Sequence, residues 1–295
     1  MSDASTAAGP HGPGNAAKTT PSAQPAQPAQ PAQSEQSRQP QAAPRHRTAA
    51  VIPAAGRGVR LGPGAPKALR ALNGTPMLVH AVRAMAASRA VSVVVVVAPP
   101  DGAAEVKTLL TDHALPERTD VLVVPGGATR QESVRLGLDA LPPGIDIVLV
   151  HDAARPLVPV DTVDGVIEAV RDGAPAVVPA LPVTDTVKEV APAAAESAPA
   201  GSAAPGAPEP VVATPDRSRL RAVQTPQGFD HATLLRAHEA VVVGDGATDD
   251  AGLVERLGEP VVLVPGHEEA FKVTRPLDLV LAEAVLARRR ANDGF

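Results

Sequence analysis

Two short stretches of this chain carry residue types and spacings that suit polyphosphate chemistry. The first is Pro53-Ala54-Ala55-Gly56-Arg57-Gly58-Val59-Arg60-Leu61-Gly62, continued by Pro63-Gly64-Ala65-Pro66-Lys67. A strand that opens into small residues and glycines lets backbone N–H groups come close to phosphate oxygens. Arg60 and Lys67 add the side-chain cations such a cradle uses. Neither standard nucleotide fingerprint fits. Leu61 stands where the dinucleotide pattern needs its third glycine, and Lys67 lies between Pro66 and Ala68 where a P-loop has Gly-Lys-Ser/Thr. A Gly-rich turn with two solvated cations would read the same way.

The second stretch is Val148-Leu149-Val150-His151-Asp152-Ala153-Ala154-Arg155-Pro156. Ligands of open α/β sheets bind beyond the strand carboxyl ends. There Asp152 would hold a ribose or a metal and Arg155 a phosphate, or the two would pair and cap the next segment. His151 reads as structural. Gly126-Gly127-Ala128-Thr129-Arg130-Gln131-Glu132-Ser133 suits a loop entering a helix, whose first N–H groups would meet a base or an anion, or an ordinary helix start. Thr248-Asp249-Asp250 reads as an N-cap with acids in the first turn. Lys272 and Arg275 lie in a short link before the last helix. No Ser/His/Asp arrangement and no metal-spaced His cluster stands out, which suits a reaction needing no protein nucleophile.

The elements that must place these residues alternate regularly. Strands are predicted at Ala50–Pro53, Val91–Ala98, Val121–Pro125, Ile145–His151, Ala176–Leu181, Arg221–Thr225 and Val261–Pro265. Helical periodicity marks Pro76–Ser88, Gly102–His113, Gln131–Leu141, Val160–Asp172, His231–Val242, Asp249–Leu257 and Leu277–Arg290. The last helix places Leu277, Val280, Leu281, Ala284 and Val285 on one stripe. Near-continuous Val in the strands predicts an α/β fold with a mostly parallel sheet covered on both faces. The alternation breaks between Asp185 and Arg221. There an Ala/Pro-rich insert flanked by Val187–Val190 and Val211–Val212 reads as an arm with a long flexible tip.

Of 295 residues, the first 50 contain no Val, Ile, Leu, Phe, Tyr or Trp. Residues 1–48, with three PAQ copies, read as a disordered tail that buries too little apolar surface to offset chain entropy. Residues 49–295 then form one domain, since about 225 core-competent residues suffice for it. Aromatics at 1% leave no stacking platform for single-stranded nucleic acid, and a net charge of −5 does not suit a phosphate-backbone binder. Cysteine is absent, so disulfides and thiol chemistry are excluded. With no apolar leader and no spanning run, a cytoplasmic protein free of membrane is expected.

Taken together, P-A-A-G-x-G-x-R with P-K downstream, G-G-x-x-R-x-x-S, V-H-D-A-A-R-P, D-T-x-K, T-P-Q, T-D-D and K-V-T-R-P, in this order over about residues 49–290, resemble the 2-C-methyl-D-erythritol 4-phosphate cytidylyltransferases of the non-mevalonate isoprenoid pathway. The resemblance implies a Rossmann-like domain with a protruding β-arm, a homodimer formed through the arm, and transfer of CMP from CTP with Mg²⁺. Arg60 and Lys67 would stabilise the transition state; Arg217 and Lys272 would position the attacking phosphate. Ala54, Ala55, Gly56, Gly127, Arg130, Ser133, Asp152 and Ala153 would hold the nucleotide, with Asp152 the metal ligand. Asp152, Arg155, Thr186, Arg217, Thr225, Thr248 and Lys272 would line the sugar-phosphate site, Thr186 and Arg217 reaching across from the partner subunit. The tail has no counterpart in the family and the insert enlarges the arm. Ala128 stands where relatives can carry an acid, so backbone groups of Gly127 would have to read the base. A ribitol- or polyol-phosphate cytidylyltransferase on the same scaffold is the nearest alternative. A non-catalytic nucleotide-binding regulator recruited through the PAQ tail is an alternative of another class.

Overall fold

The computed structural model describes residues 47–56, 66–191, 208–240 and 248–293. Most of the expected tail, the glycine-rich stretch 57–65 with Arg60, and the greater part of the Ala/Pro-rich insert (192–207) lie outside these. Among the described residues the order is β1 (Thr48–Pro53), β2 (Ala71–Leu72), β3 (Thr75–Pro76), α1 (Met77–Ala87), β4 (Val91–Ala98), α2 (Ala103–Thr111), β5 (Asp120–Pro125), α3 (Arg130–Asp139), β6 (Ile147–Val150) and α4 (Val160–Arg171). It continues through β7 (Ala176–Pro182), β8 (Glu189–Val190), β9 (Val211–Ala213), β10 (Arg221–Val223), β11 (Gln227–Asp230), α5 (His231–Ala240), α6 (Asp250–Arg256), β12 (Val261–Pro265) and α7 (Pro276–Asp293). Thr48, expected in the tail, is fully buried at the start of β1.

Strands run β10-β7-β11-β6-β1-β4-β5, with β12 paired to β7. Pleat alternation divides each inner strand between two cores. Ala50, Ile52, Val94, Val96 and Leu149 face α1, α2 and α4, while Val51, Val93, Val95, Val97 and Val148 face α3, α5 and α6. Both faces are therefore apolar, as the unbroken Val run of β4 requires. Helix α3 approaches β1 and β4 through Gly137, where a Cβ would run into Val51 and Val97.

The sheet is more mixed than the Val runs suggest. β6, β1, β4 and β5 are parallel, but β11 inserts antiparallel between β6 and β7. Its sequence, Gln227-Gly228-Phe229-Asp230, has no β-branched residue, so tertiary pairing and not propensity makes it a strand. Residues 221–230 follow one edge of β7 with an interruption. Val223 pairs with Ala180 and Gly228 with Val177, so four residues on one side face two on the other. This bulge, which contains the cis Thr225–Pro226 bond, turns Thr225 toward the end of β6.

The arm is a small antiparallel ladder of β8 and β9, with Val211 and Val212 more than half exposed. Helix α7 corrects the expected stripe. Ala282 and Val285 are buried with Leu72, Met77, Leu157 and Val273, whereas Leu277, Val280 and Leu281 are 75%, 61% and 51% exposed. The helix has two apolar faces, so periodicity alone could not choose between them. Its rotation is fixed by Arg289, which binds Glu269 and donates to the Leu157 carbonyl at 2.7 Å.

Candidate active site

Chain order explains where the site lies. From β1 the strands proceed to β4 and β5 on one side; β6 then joins β1 on the other, which opens a crevice at the carboxyl ends. The loops after β1, β5 and β6 bound a cleft of about 300 Å³. Ala54, Ala55, Gly56, Lys67, Gly127, Arg130, Ser133, Asp152, Ala153 and Lys272, ten of the residues expected at the site, line it together.

Asp152 is its electrostatic centre. Lys272 Nζ donates to Asp152 Oδ2 at 2.7 Å. Arg130 Nε lies 3.9 Å from Oδ1 and Arg155 Nε 3.9 Å from Oδ2. Burial works against the charge of this carboxyl, but Lys272, then Arg130 and Arg155, hold its pKa below the ordinary aspartate value. The product is an ionised carboxylate ringed by three cations.

The backbone beneath Asp152 is fixed by a closed chain of hydrogen bonds. The Asp152 N–H donates to Thr225 Oγ1 at 3.0 Å, and that oxygen lies 3.0 Å from His151 Nδ1. His151 Nε2 is 3.1 Å from the Arg155 carbonyl, which can only accept, so the proton is assigned to Nε2 and the Thr225 hydroxyl donates to Nδ1. Burial drives the His151 pKa down to about 4, keeping the ring neutral. Its role is structural, as the sequence suggested.

Arg155 is nearly enclosed. Its Nη1 donates to the Ala270 carbonyl at 2.7 Å and its Nη2 to the Val223 carbonyl at 3.3 Å, so it ties the link before α7 to β10. Thr225 lies under the cleft floor, and Thr248 is exposed just before α6. Thr186 and Arg217 do not line this chain's cleft. Both are exposed on the arm side, with Arg217 Nη1 donating to the Thr184 carbonyl at 2.6 Å.

At the start of α3, Thr129 caps the helix by accepting from the Glu132 N–H at 3.0 Å, while Glu132 Oε2 accepts from the Ala128 N–H at 2.7 Å. Gly127 donates its N–H to Ser133 Oγ at 3.2 Å; a Cβ at Gly127 would strike the folded-back Glu132 side chain.

Sequence reasoning missed the groups behind Arg130. Arg130 Nη1 lies 2.7 Å from Asp250 Oδ2, and Asp250, fully buried, also meets His238 Nε2 at 3.0 Å. Burial opposes the charge on Asp250, but Arg130 and His238 keep its pKa low. The N-cap of α6 is Asp249, one residue later than the expected Thr248, and it is itself held by Gln227 Nε2 at 2.6 Å. An acid in a first helical turn gives no local sign of such a long-range pair.

The family model of 2-C-methyl-D-erythritol 4-phosphate cytidylyltransferase (IspD) matches residues 48–288. A curated protein of that name from Streptomyces avermitilis is 82% identical over 249 residues, covering 84% of this chain and 95% of that one. Its counterpart in Frankia casuarinae is 53% identical, covering 84% of each. Among solved structures, the 2-C-methyl-D-erythritol 4-phosphate cytidylyltransferase of Thermus thermophilus aligns with a TM-score of 0.58 at 38% identity, over 80% of this chain and 97% of that one. The 4-diphosphocytidyl-2C-methyl-D-erythritol synthase of Anaerococcus prevotii aligns with a TM-score of 0.66 at 26% identity, over 82% and 99%. The ordered motifs, the crevice they line and these matches agree: the chain belongs to the 2-C-methyl-D-erythritol 4-phosphate cytidylyltransferase family.

Proposed function

We propose that this chain transfers CMP from CTP to 2-C-methyl-D-erythritol 4-phosphate in isoprenoid precursor biosynthesis, at the cleft centred on Asp152. The observation that carries the reading is the ionised Asp152 carboxylate among Lys272, Arg130 and Arg155, at the crevice where this fold binds ligands. A phosphate oxygen of the acceptor attacks the α-phosphorus of CTP, and the bond to the bridging oxygen breaks to release pyrophosphate. A phosphate monoester is already anionic near neutral pH, so no general base is needed. The protein's work is alignment and neutralisation of charge.

Lys67, with Arg60 of the glycine-rich stretch, neutralises charge at the α-phosphorus and on leaving pyrophosphate. Lys272 leaves Asp152 to meet the acceptor phosphate. Arg130, Ser133 and the backbone of Ala54, Ala55, Gly56 and Ala153 hold the nucleotide. Because Ser133 takes the Gly127 N–H, the Gly127 carbonyl is the group offered to the base. The donor chemistry fits Mg²⁺: Asp152 is a hard, ionised oxygen ligand facing the cleft, and the triphosphate would fill most of the remaining coordination positions. When bound, the ion would offset charge on the triphosphate. Among the described residues no three His, Cys, Asp or Glu side chains cluster.

Thr186 and Arg217, absent from this chain's own cleft, would complete that of a second subunit in an arm-linked homodimer. Arg155 and Thr225 would shape the sugar-phosphate side from beneath, and Thr248 would contribute to it from the segment before α6. Among the described residues no helix is long and apolar enough to cross a membrane. The test is pyrophosphate release from CTP and Mg²⁺ with either 2-C-methyl-D-erythritol 4-phosphate or ribitol 5-phosphate. Release with the first alone is expected. Release with ribitol phosphate alone would move the protein to another pathway, and silence with both would favour a binding role without catalysis.

A further inference from the structure

Arg130 is the first residue of α3, and three elements converge behind it. Asp250 opens α6, His238 lies in the last turn of α5, and Gln227 belongs to β11. Asp250 is fully buried, yet it lies 2.7 Å from Arg130 Nη1 and 3.0 Å from His238 Nε2. A buried carboxylate is tolerable only when paired and hydrogen-bonded, and removing one partner leaves an uncompensated charge. The turn carrying it is pinned as well. Gln227 donates to Asp249 Oδ2 at 2.6 Å and accepts from the Ala251 N–H at 3.2 Å. Gln227 and Asp250 are thus held from both sides, and neither lines the cleft.

The arrangement resolves a competition. Arg130 Nε is already 3.9 Å from Asp152 Oδ1, while Lys272 is 2.7 Å from Oδ2. A guanidinium without a second anchor would settle on Asp152 Oδ1 and withdraw its own N–H groups from a ligand. Asp250 opposes this through its 2.7 Å ion pair with Arg130 Nη1, while His238 holds the other Asp250 oxygen. We propose that Asp250, backed by His238, is a positioning residue that holds Arg130 off Asp152 and aims it at the nucleotide. The proposal rests on the reading of this cleft as the CTP site.

The experiment is a double-mutant cycle with Asp250→Asn and Arg130→Gln, measured by KM for CTP, kcat, the Mg²⁺ concentration giving half-maximal rate, and melting temperature. Asp250→Asn alone should raise KM for CTP and the Mg²⁺ requirement about tenfold, with kcat changed far less, the size expected for one misaligned charge-assisted contact. In the Arg130→Gln background both effects of Asp250→Asn should vanish, whatever happens to melting temperature. Effects that persist unchanged in that background, or a kcat loss with KM untouched, would overturn the anchor while leaving the CTP reading intact. An Arg130→Gln enzyme with normal KM for CTP would overturn both. Should Asp250→Asn fail to fold, His238→Phe serves in the same cycle with the same outcomes. His238→Gln, which keeps a donor for Asp250, should restore the CTP KM that His238→Phe loses.

Discussion

The cleft floor and the arm are built in opposite ways. Under the cleft each polar group is held by several residues distant in sequence. Thr225 joins Asp152 to His151 across 73 and 74 positions, and Arg155 bridges to Ala270 and Val223. On the arm, contacts join one arm residue to another and side chains face outward. Arg217 reaches Thr184, Lys188 reaches Thr214 at 2.8 Å, and Val211 and Val212 are 56% and 57% exposed. A preorganised floor lets charge be neutralised without rearrangement. Cations on an arm that packs on little of its own chain can contribute only where that arm meets something else. The difference predicts that floor substitutions cost stability as well as rate, whereas arm substitutions cost rate alone.

The largest effect should come from the cleft's own cation. Lys272→Ala should lower kcat by about 10²–10³, comparable to losing one donor to a developing oxyanion, and steady-state kinetics would show it. Arg217→Ala should lower turnover by about 10² through loss of a phosphate contact. Its melting temperature should stay close to wild type, because exposed substitutions usually stay within about 0.5 kcal/mol. A large fall in melting temperature would erase the distinction between the two regions. Thr225→Val sharpens it from the other side. It leaves the Asp152 N–H and His151 Nδ1 without their partner and should cost about 1–3 kcal/mol in denaturant unfolding.

The most gradual effect is a pH slope from the floor. His151 has a folded pKa of about 4 against an ordinary 6.5, so between those values the unfolded chain binds more protons. Stability should therefore be full above about pH 6.5 and fall by about 1.4 kcal/mol per unit as pH drops toward 4. His151→Gln should flatten that slope in urea titrations across this window. Asp152 and Asp250, whose pKa values are held low, lose their contributions only at still lower pH.

What could be read from the sequence follows the range of the interactions involved. β4 and β12 have the predicted bounds, because a run of Val between turn residues has few other places to go. Many of the crevice residues were legible as well, since Ala54, Ala55, Gly56, Gly127, Asp152 and Ala153 directly follow the ends of β1, β5 and β6. β11 was not, because Gln227-Gly228-Phe229-Asp230 becomes a strand only through β6 and β7. Nor was the rotation of α7, whose second apolar face is chosen by the Arg289–Glu269 contact. Asp250 looked like a helix-dipole acid; its pairing with Arg130 spans 120 positions and leaves no periodic trace.

The central claim is that the floor belongs to one chain while the arm serves another chain's site. Mixing Lys67→Ala subunits with Arg217→Ala subunits tests it most directly, with pyrophosphate release from CTP and 2-C-methyl-D-erythritol 4-phosphate as the readout. Random exchange makes half of the dimers mixed, each with one intact cleft served by one intact arm. Activity should therefore recover to about a quarter of wild type from two nearly inactive parents. A mixture that remains as inactive as its parents after verified subunit exchange would contradict the account.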